Sequence, residues 1–216
     1  MKTPRLAVFV TAALTVVTLA ACGAQDASSP AGDPLPVQSS AASTPTKSTE
    51  GSDVQSLVQA AGLAPCPTSG NTPPVDGGLP ELTLPCLGEG PAVNLAGVRG
   101  QPMVVNVWQS YCVPCATELP ILGQVYREHS DQIRFLGIDL ADERAAALKM
   151  AATTKMGFPS VTDQQSTVRG PLRIVGVPTT IYVRADGVIA GRSTGEITSR
   201  AQLVSDIQKY LGVQLS

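Results

Sequence analysis

Apolar and polar positions along the 216 residues change period several times, and each change marks an element. Val54, Leu57, Val58 and Ala61 recur at helical spacing, so residues 53–62 predict a short amphipathic helix stopped by Gly62. Residues 63–90 are rich in Pro and Gly and read as loop, with a partly strand-like stretch at 79–87 interrupted by Pro80 and Pro85. Residues 92–94 read as a short edge strand and 95–98 as one helical turn. Met103 to Val107 is a near-continuous apolar run, the mark of a strand covered on both faces. Residues 113–129 follow as a helix; Pro120 inside it lacks the N–H that would bond back to Ala116, which predicts a kink. A second strand is expected over 133–139, an Ala-rich helix over 142–156 closed by Gly157, and a short helix over 164–172. Strands over 179–183 and 188–194 flank Ala185-Asp186-Gly187 as a hairpin, and residues 198–211 close the chain as a helix with Gly212 after it.

The resulting order is β-α-β-α-(α)-β-β-α. Its first half alternates and is therefore parallel, while the hairpin is antiparallel, so the fold class is α/β with a mixed central sheet and helices on both faces. Four segments are expected: a leader over 1–21, a disordered tether over 22–52, an N-terminal extension over 53–90 and one compact domain over 91–216.

Composition sharpens the N-terminal half of this picture. Lys2 and Arg5 precede an apolar run over 6–19, too short for a comfortable membrane span, and Leu19-Ala20-Ala21-Cys22 follows. That tetrapeptide resembles the lipobox of bacterial lipoproteins, which implies cleavage before Cys22 and a lipid on its sulfur and new N-terminus. The other reading is an ordinary secretory leader with an incidental cysteine. Both put the domain outside the cytoplasm, at the outer face of the cell membrane if lipidated, where disulfides persist. The next thirty or so residues are Ala, Ser, Thr, Pro and Gly, which bury too little surface to offset chain entropy. Loss of the leader moves the formal charge from −2 to about −4, because Lys2 and Arg5 leave and no acid does. Such a weak acidic balance gives no footprint for nucleic acid.

The chemistry centres on Trp108-Gln109-Ser110-Tyr111-Cys112-Val113-Pro114-Cys115. A strand delivers two cysteines to the start of a helix, where unpaired N–H groups and the positive end of the dipole stabilise a thiolate. The thiolate is the attacking species, so Cys112 is the expected nucleophile. Cys115, one turn deeper, is the expected resolving sulfur. Glu118 lies three residues further on the same side of the helix, either as a partly buried carboxylate that shuttles the proton of the buried thiol or as a solvent-facing acid favoured by the dipole. No cofactor is called for, because the two sulfurs carry both electrons. A zinc site would need four ligands, and His129 is the only histidine, at a helix end and with no catalytic role. Asp139 reads as a turn former at a strand end. Cys66 and Cys86 most simply pair in an oxidising space, stapling a loop-rich segment; the alternative is a second redox pair relaying electrons to Cys112.

The ordered set Val-Asn-Val-Trp, Cys112-Val113-Pro114-Cys115, Glu118, Pro120 and Gly176-Val177-Pro178-Thr179-Thr180 resembles the thioredoxin fold, and within it the TlpA/ResA-like branch of membrane-tethered disulfide reductases. The match spans about residues 93–213. It implies a cis peptide bond before Pro178, in a loop that faces the two cysteines and binds substrate, and a role for Glu118 in tuning the acidity of the site. Trp108, Tyr111, Val113, Pro114 and Val177 are the expected substrate rim. By the same resemblance the partners are disulfide-containing or dithiol envelope proteins and a membrane thiol donor of the CcdA/DsbD type, with apocytochrome c the leading substrate. Tyr111 stands where the branch commonly has Trp, and Thr179 where cytochrome-c-maturation members often carry Glu.

The expected activity is thus thiol–disulfide exchange, reductive in the first reading and oxidative in the second, since the same residues serve both directions and only the potential separates them. A peroxide-reducing site would carry a Thr at the position of Gln109 and a single cysteine. A copper carrier would carry three residues between the cysteines and a well-placed His. A structural lipoprotein would keep its thiols inert.

Overall fold

The computed structural model describes residues 49–215. The leader, Cys22 and most of the expected tether lie outside them. The first helix, α1, spans Thr49–Ala61, so it begins inside the stretch read as tether. Its Val58 and Ala61 are buried in the main apolar cluster, which is what holds a short helix in place.

A two-stranded antiparallel ribbon follows, β1 (Thr83–Leu84) with β2 (Val93–Asn94). The strand expected at 92–94 therefore pairs with the extension and not with the edge of the main sheet. A 3-10 turn at Leu95–Gly97 starts where the Asn94 side chain accepts the Ala96 N–H at 3.2 Å.

The domain proper runs β3 (Met103–Trp108), α2 (Val113–His129), β4 (Arg134–Leu140), α3 (Arg144–Thr154), β5 (Ser160–Asp163), β6 (Thr179–Val183), β7 (Ile189–Thr194) and α4 (Arg200–Leu211). The sheet order is β5-β4-β3-β6-β7, with β3, β4 and β5 parallel and β6 and β7 antiparallel. All six residues of β3 are buried, as its near-continuous apolar run predicts for the central strand. One face carries Val104, Trp108, Phe135 and Tyr182 against the buried residues of all four α-helices. The other carries Val105, Val107, Leu136, Ile138 and Ile181 against the 3-10 turn and the segment holding Val168 and Leu172.

Three local expectations are corrected. Residues 164–172 form consecutive turns, not a helix. The Asp163 carboxylate accepts the N–H groups of Thr167 and Val168, at 2.9 and 2.8 Å, and so takes the donors a first helical turn would use. The strand β5 was hidden in sequence, since Ser160-Val161-Thr162-Asp163 has only one aliphatic residue; its edge is paired by the extension, with Leu87 N–H to Ser160 O and Thr162 N–H to Pro85 O. The left-handed cap of α3 is Lys155, at φ 51°, two residues before Gly157.

Cys66 and Cys86 form a disulfide 20 residues apart, Cys66 buried and Cys86 half-buried. It staples the extension where it crosses β5. Arg144 at the start of α3 adds a clamp, donating from Nε and Nη2 to the Leu87 carbonyl at 3.2 and 2.9 Å.

Candidate active site

Strand β3 ends at Trp108 and the chain turns over residues 109–111 into α2. Cys112 is the N-cap of that helix, with extended backbone (φ −91°, ψ 106°), and its sulfur accepts the Cys115 N–H at 3.2 Å. The cap sulfur thus takes one of the N–H groups that a helix start leaves without a partner. Pro114 sits in the first turn, where a missing N–H costs nothing. Cys112 and Cys115 are joined as a disulfide, Cα to Cα 5.2 Å. Cys112 is half-buried and Cys115 fully buried, so an incoming sulfur meets Cys112 first.

Glu118 is buried beneath the helix. Its Oε1 accepts from Asn106 Nδ2 at 2.7 Å and its Oε2 from the Ile197 N–H at 2.9 Å. Burial pushes its carboxyl up to about 7; the Ile197 and Asn106 bonds pull the other way, and the charge of Glu196 adds to the rise. The solvent-facing alternative for Glu118 is therefore excluded. Asn106 has a signal in sequence, a lone polar residue inside a strand buried on both faces, which requires a polar partner.

The Val177–Pro178 peptide is cis, Pro178 is buried and Val177 half-buried. Val107 of β3 pairs with Thr179 of β6, so the loop entering β6 runs beside the loop leaving β3. Val177 and Cys112 pack against the same buried cluster.

The expected rim divides. Tyr111 and Val113 are 68% and 78% exposed, and Pro114 is also exposed. Trp108 is fully buried and does not belong to the rim. Its ring lies over β4, with Nε1 donating to Ser160 Oγ at 3.3 Å. Gly137 makes the room, because a Cβ there would stand 3.0 Å from that Nε1. Val175, which no local motif marks in the sequence, is 85% exposed two residues before Val177.

Two further sequence expectations change. Asp139 is no turn former: it lies within β4, fully buried, and burial together with the neighbouring Asp142 and Asp163 pushes its carboxyl up to about 9. His129 is buried at the end of α2, with Nε2 3.3 Å from Arg200 Nη2 and 3.8 Å from Glu128. Among the described residues, no group of three or more His, Cys, Asp or Glu is arranged to hold a metal ion.

Residues 75–192, more than half of the chain, match the model of the AhpC/TSA family. The chain belongs to the AhpC/TSA family. Within it, the likeness runs to thiol–disulfide exchange proteins. The thiol:disulfide interchange protein DsbE of Pseudomonas fluorescens is 29% identical over 133 residues, 60% of this chain and 73% of that protein. The thiol-disulfide oxidoreductase ResA of Geobacillus kaustophilus is 26% identical over 119 residues, 55% of this chain and 66% of that protein. Among solved structures, a secreted thiol-disulfide isomerase from Corynebacterium glutamicum superimposes with a TM-score of 0.52 at 26% identity, over 61% of this chain and 81% of that one. This AhpC/TSA member has the thioredoxin-like fold and is an enzyme, a thiol–disulfide oxidoreductase of the ResA/DsbE type.

Proposed function

We propose that the protein is an extracytoplasmic reductase of protein disulfides, with Cys112 as nucleophile and Cys115 as resolving thiol. The observation that carries this reading is the pairing of an approachable sulfur, bonded to an N–H at the start of α2, with a second sulfur wholly buried behind it. The Cys112 thiolate attacks one sulfur of a substrate disulfide, forms a mixed disulfide and expels the other sulfur as a thiolate that takes up a proton. Cys115 gives up its proton and attacks Cys112 Sγ, closing the ring and releasing the second substrate thiol. Two electrons pass from the enzyme dithiol to the substrate, leaving the enzyme disulfide.

Glu118 is the acceptor for the Cys115 proton in this scheme. A carboxyl poised near 7 both takes and returns a proton at neutral pH. The backbone entering Pro178 receives the substrate segment, and Tyr111, Val113, Pro114 and Val177 surround it.

Recharging by a membrane dithiol donor of the CcdA/DsbD type fits a protein held at the membrane through a lipid on Cys22. No helix among the described residues is long and apolar enough to cross a membrane. Apocytochrome c is the substrate that the resemblance to the TlpA/ResA-like branch suggests.

Insulin reduction by the purified protein tests the reading. Parent enzyme is expected to precipitate insulin B chain with dithiothreitol as electron source, Cys112→Ser to be inactive, and Cys115→Ser to accumulate a mixed disulfide. Equal rates for parent and Cys112→Ser sink the assignment. The equilibrium potential of the Cys112/Cys115 couple against glutathione decides direction, a value near thioredoxin supporting reduction and one near DsbA supporting oxidation.

A further inference from the structure

Past Trp108, on the side of the active-site turn away from Glu118, lies a second buried acid group that takes no part in the proton transfer assigned to Glu118. Asp139 is four residues from Phe135 on β4, so the two side chains share the sheet face that carries Trp108 and Cys115. In the parallel register Asp139 stands beside Trp108 on β3 and Thr162 on β5. Its Oδ2 accepts the Thr162 hydroxyl at 3.2 Å, and its Oδ1 is buried with no donor. The charged groups that act on it are Asp142, in the turn after β4, and Asp163, at the end of β5, both acids. Asp142 is itself buried, and it accepts the backbone N–H of Ser110, two residues before Cys112.

A carboxylate oxygen buried without a donor is costly, and a second carboxylate nearby makes it more so. A proton on Asp139 resolves both problems at once. It turns the unpartnered oxygen into a donor, for which the neighbouring Asp142 carboxylate would be the acceptor. The Asp142 carboxylate is then held from one side by Asp139 and binds Ser110 on the other.

We infer that the buried Asp142 is a positioning residue for the reactive turn: through the Ser110 N–H it sets where the chain presents Cys112 at the start of α2. The inference rests on the reading of Cys112 as the attacking sulfur. A charge effect alone predicts the opposite sign, because an anion near the thiolate disfavours it and its removal makes Cys112 more reactive. Positioning predicts that reactivity falls when the bond to Ser110 is lost and survives when only the charge is lost.

The test uses Asp142→Ala, which removes the acceptor, and Asp142→Asn, which keeps a carbonyl oxygen for Ser110. The readout is the pH profile of Cys112 alkylation by iodoacetamide in the reduced protein. Asp142→Ala is expected to react about tenfold more slowly at pH 7, its profile moved about one unit toward an ordinary thiol, with Asp142→Asn within twofold of parent. An Asp142→Ala protein as fast as parent or faster overturns the inference, as does an equal change in both variants, the mark of charge and not of the bond. The Asp139 half is read separately in the oxidised protein, where Trp108, the only tryptophan, is the reporter. Its fluorescence is expected to step near pH 9 in parent, and the step to vanish in Asp139→Asn, whose amide donates to Asp142 at every pH. A step that persists in Asp139→Asn overturns this half. Should parent Cys112 itself alkylate like a free cysteine, it is the reductase reading that fails, and the fluorescence experiment still reports on the acid pair.

Discussion

Asn106 and Glu118 meet across the sheet–helix interface, 2.7 Å from amide nitrogen to carboxylate oxygen. The same Asn106 nitrogen lies 3.1 Å from Thr180 Oγ1 on β6, the strand that leaves Pro178. One uncharged amide therefore ties the cysteine-bearing helix, the central strand and the strand leading from the Pro178 loop. Because Asn106 does not titrate, Glu118 is left as the group that answers to pH at this junction.

Glu118 makes the oxidised protein less stable as pH rises through neutrality. Its folded value, about 7, lies above the ordinary 4.5, so between those values the folded state holds more protons than the unfolded one. Stability then falls with rising pH, in contrast to a salt-bridged acid. The penalty is absent below about pH 4.5, grows through the window and is complete above about pH 7, at an order of magnitude of 3 kcal/mol. Urea unfolding at pH 5 and pH 8 is expected to show a smaller loss in Glu118→Gln than in parent. Gln offers one acceptor to two donors and is itself destabilised by about 1–3 kcal/mol, but at every pH alike. Identical losses in the two proteins count against this account.

Removal of the Asn106 amide has a second, separable outcome. In Asn106→Ala, Glu118 loses a donor that favours its charged form, so its titration moves further up. The protein is expected to lose about 1–3 kcal/mol of stability, and the pH profile of turnover to shift alkaline. A profile unchanged from parent removes Glu118 from proton transfer.

The extension depends on its staple. Pro and Gly give residues 63–90 little core of their own, and the Cys66–Cys86 link closes a loop of 20 residues. The double variant Cys66→Ser/Cys86→Ser is expected to unfold with about 3 kcal/mol less free energy, which is about 10 °C in midpoint. Alkylation of Cys112 in the folded variant is expected to match parent. A loss of turnover without loss of stability instead supports a redox relay through this pair.

Much of this was legible in the chain. The helix at 113–129 was readable to the residue because Cys112 caps it and Pro114 fits its first turn. Strand β3 announced itself by a near-continuous apolar run broken only by Asn106, and the hairpin by Asp186-Gly187. What escaped depended on partners distant in sequence. β5 is polar in composition and becomes a strand by pairing with β4 and with residues 85–87 of the extension. Asp163 diverts the next segment from helix to turns, and nothing in the local pattern shows whether an acid will point at the backbone or at water. Trp108 looked like a rim residue because it adjoins the cysteine motif; the space vacated at Gly137 and the Ser160 hydroxyl draw it into the core. Asp139 sat at the end of an apolar run, where an acid ordinarily starts a turn, and only the neighbours on β3 and β5 reveal its burial.

The exposed apolar residues near the cysteines are expected to separate protein substrates from small ones. Tyr111 and Val113 leave most of their side chains in water, and the Tyr111 hydroxyl is held by Gln109 Nε2, which fixes the ring's direction. Exposed rings and branched chains gain nothing for the isolated enzyme. They gain when a polypeptide covers them, at roughly 25 cal/mol per Å² of apolar surface buried. Covering about 100 Å² at Tyr111 gives a gross ~2.5 kcal/mol, of which ordering the substrate segment consumes a large part. A net of about 1 kcal/mol corresponds to roughly a fivefold change in rate constant. Tyr111→Ala is therefore expected to lower kcat/KM for insulin about fivefold, and Val113→Ser to lower it by a smaller factor. A disulfide the size of oxidised glutathione covers little of either residue, so its rate is expected to stay within twofold of parent in both variants. Equal losses on insulin and on glutathione disulfide place the defect in the sulfur chemistry; a loss confined to insulin places it in recognition of the protein chain.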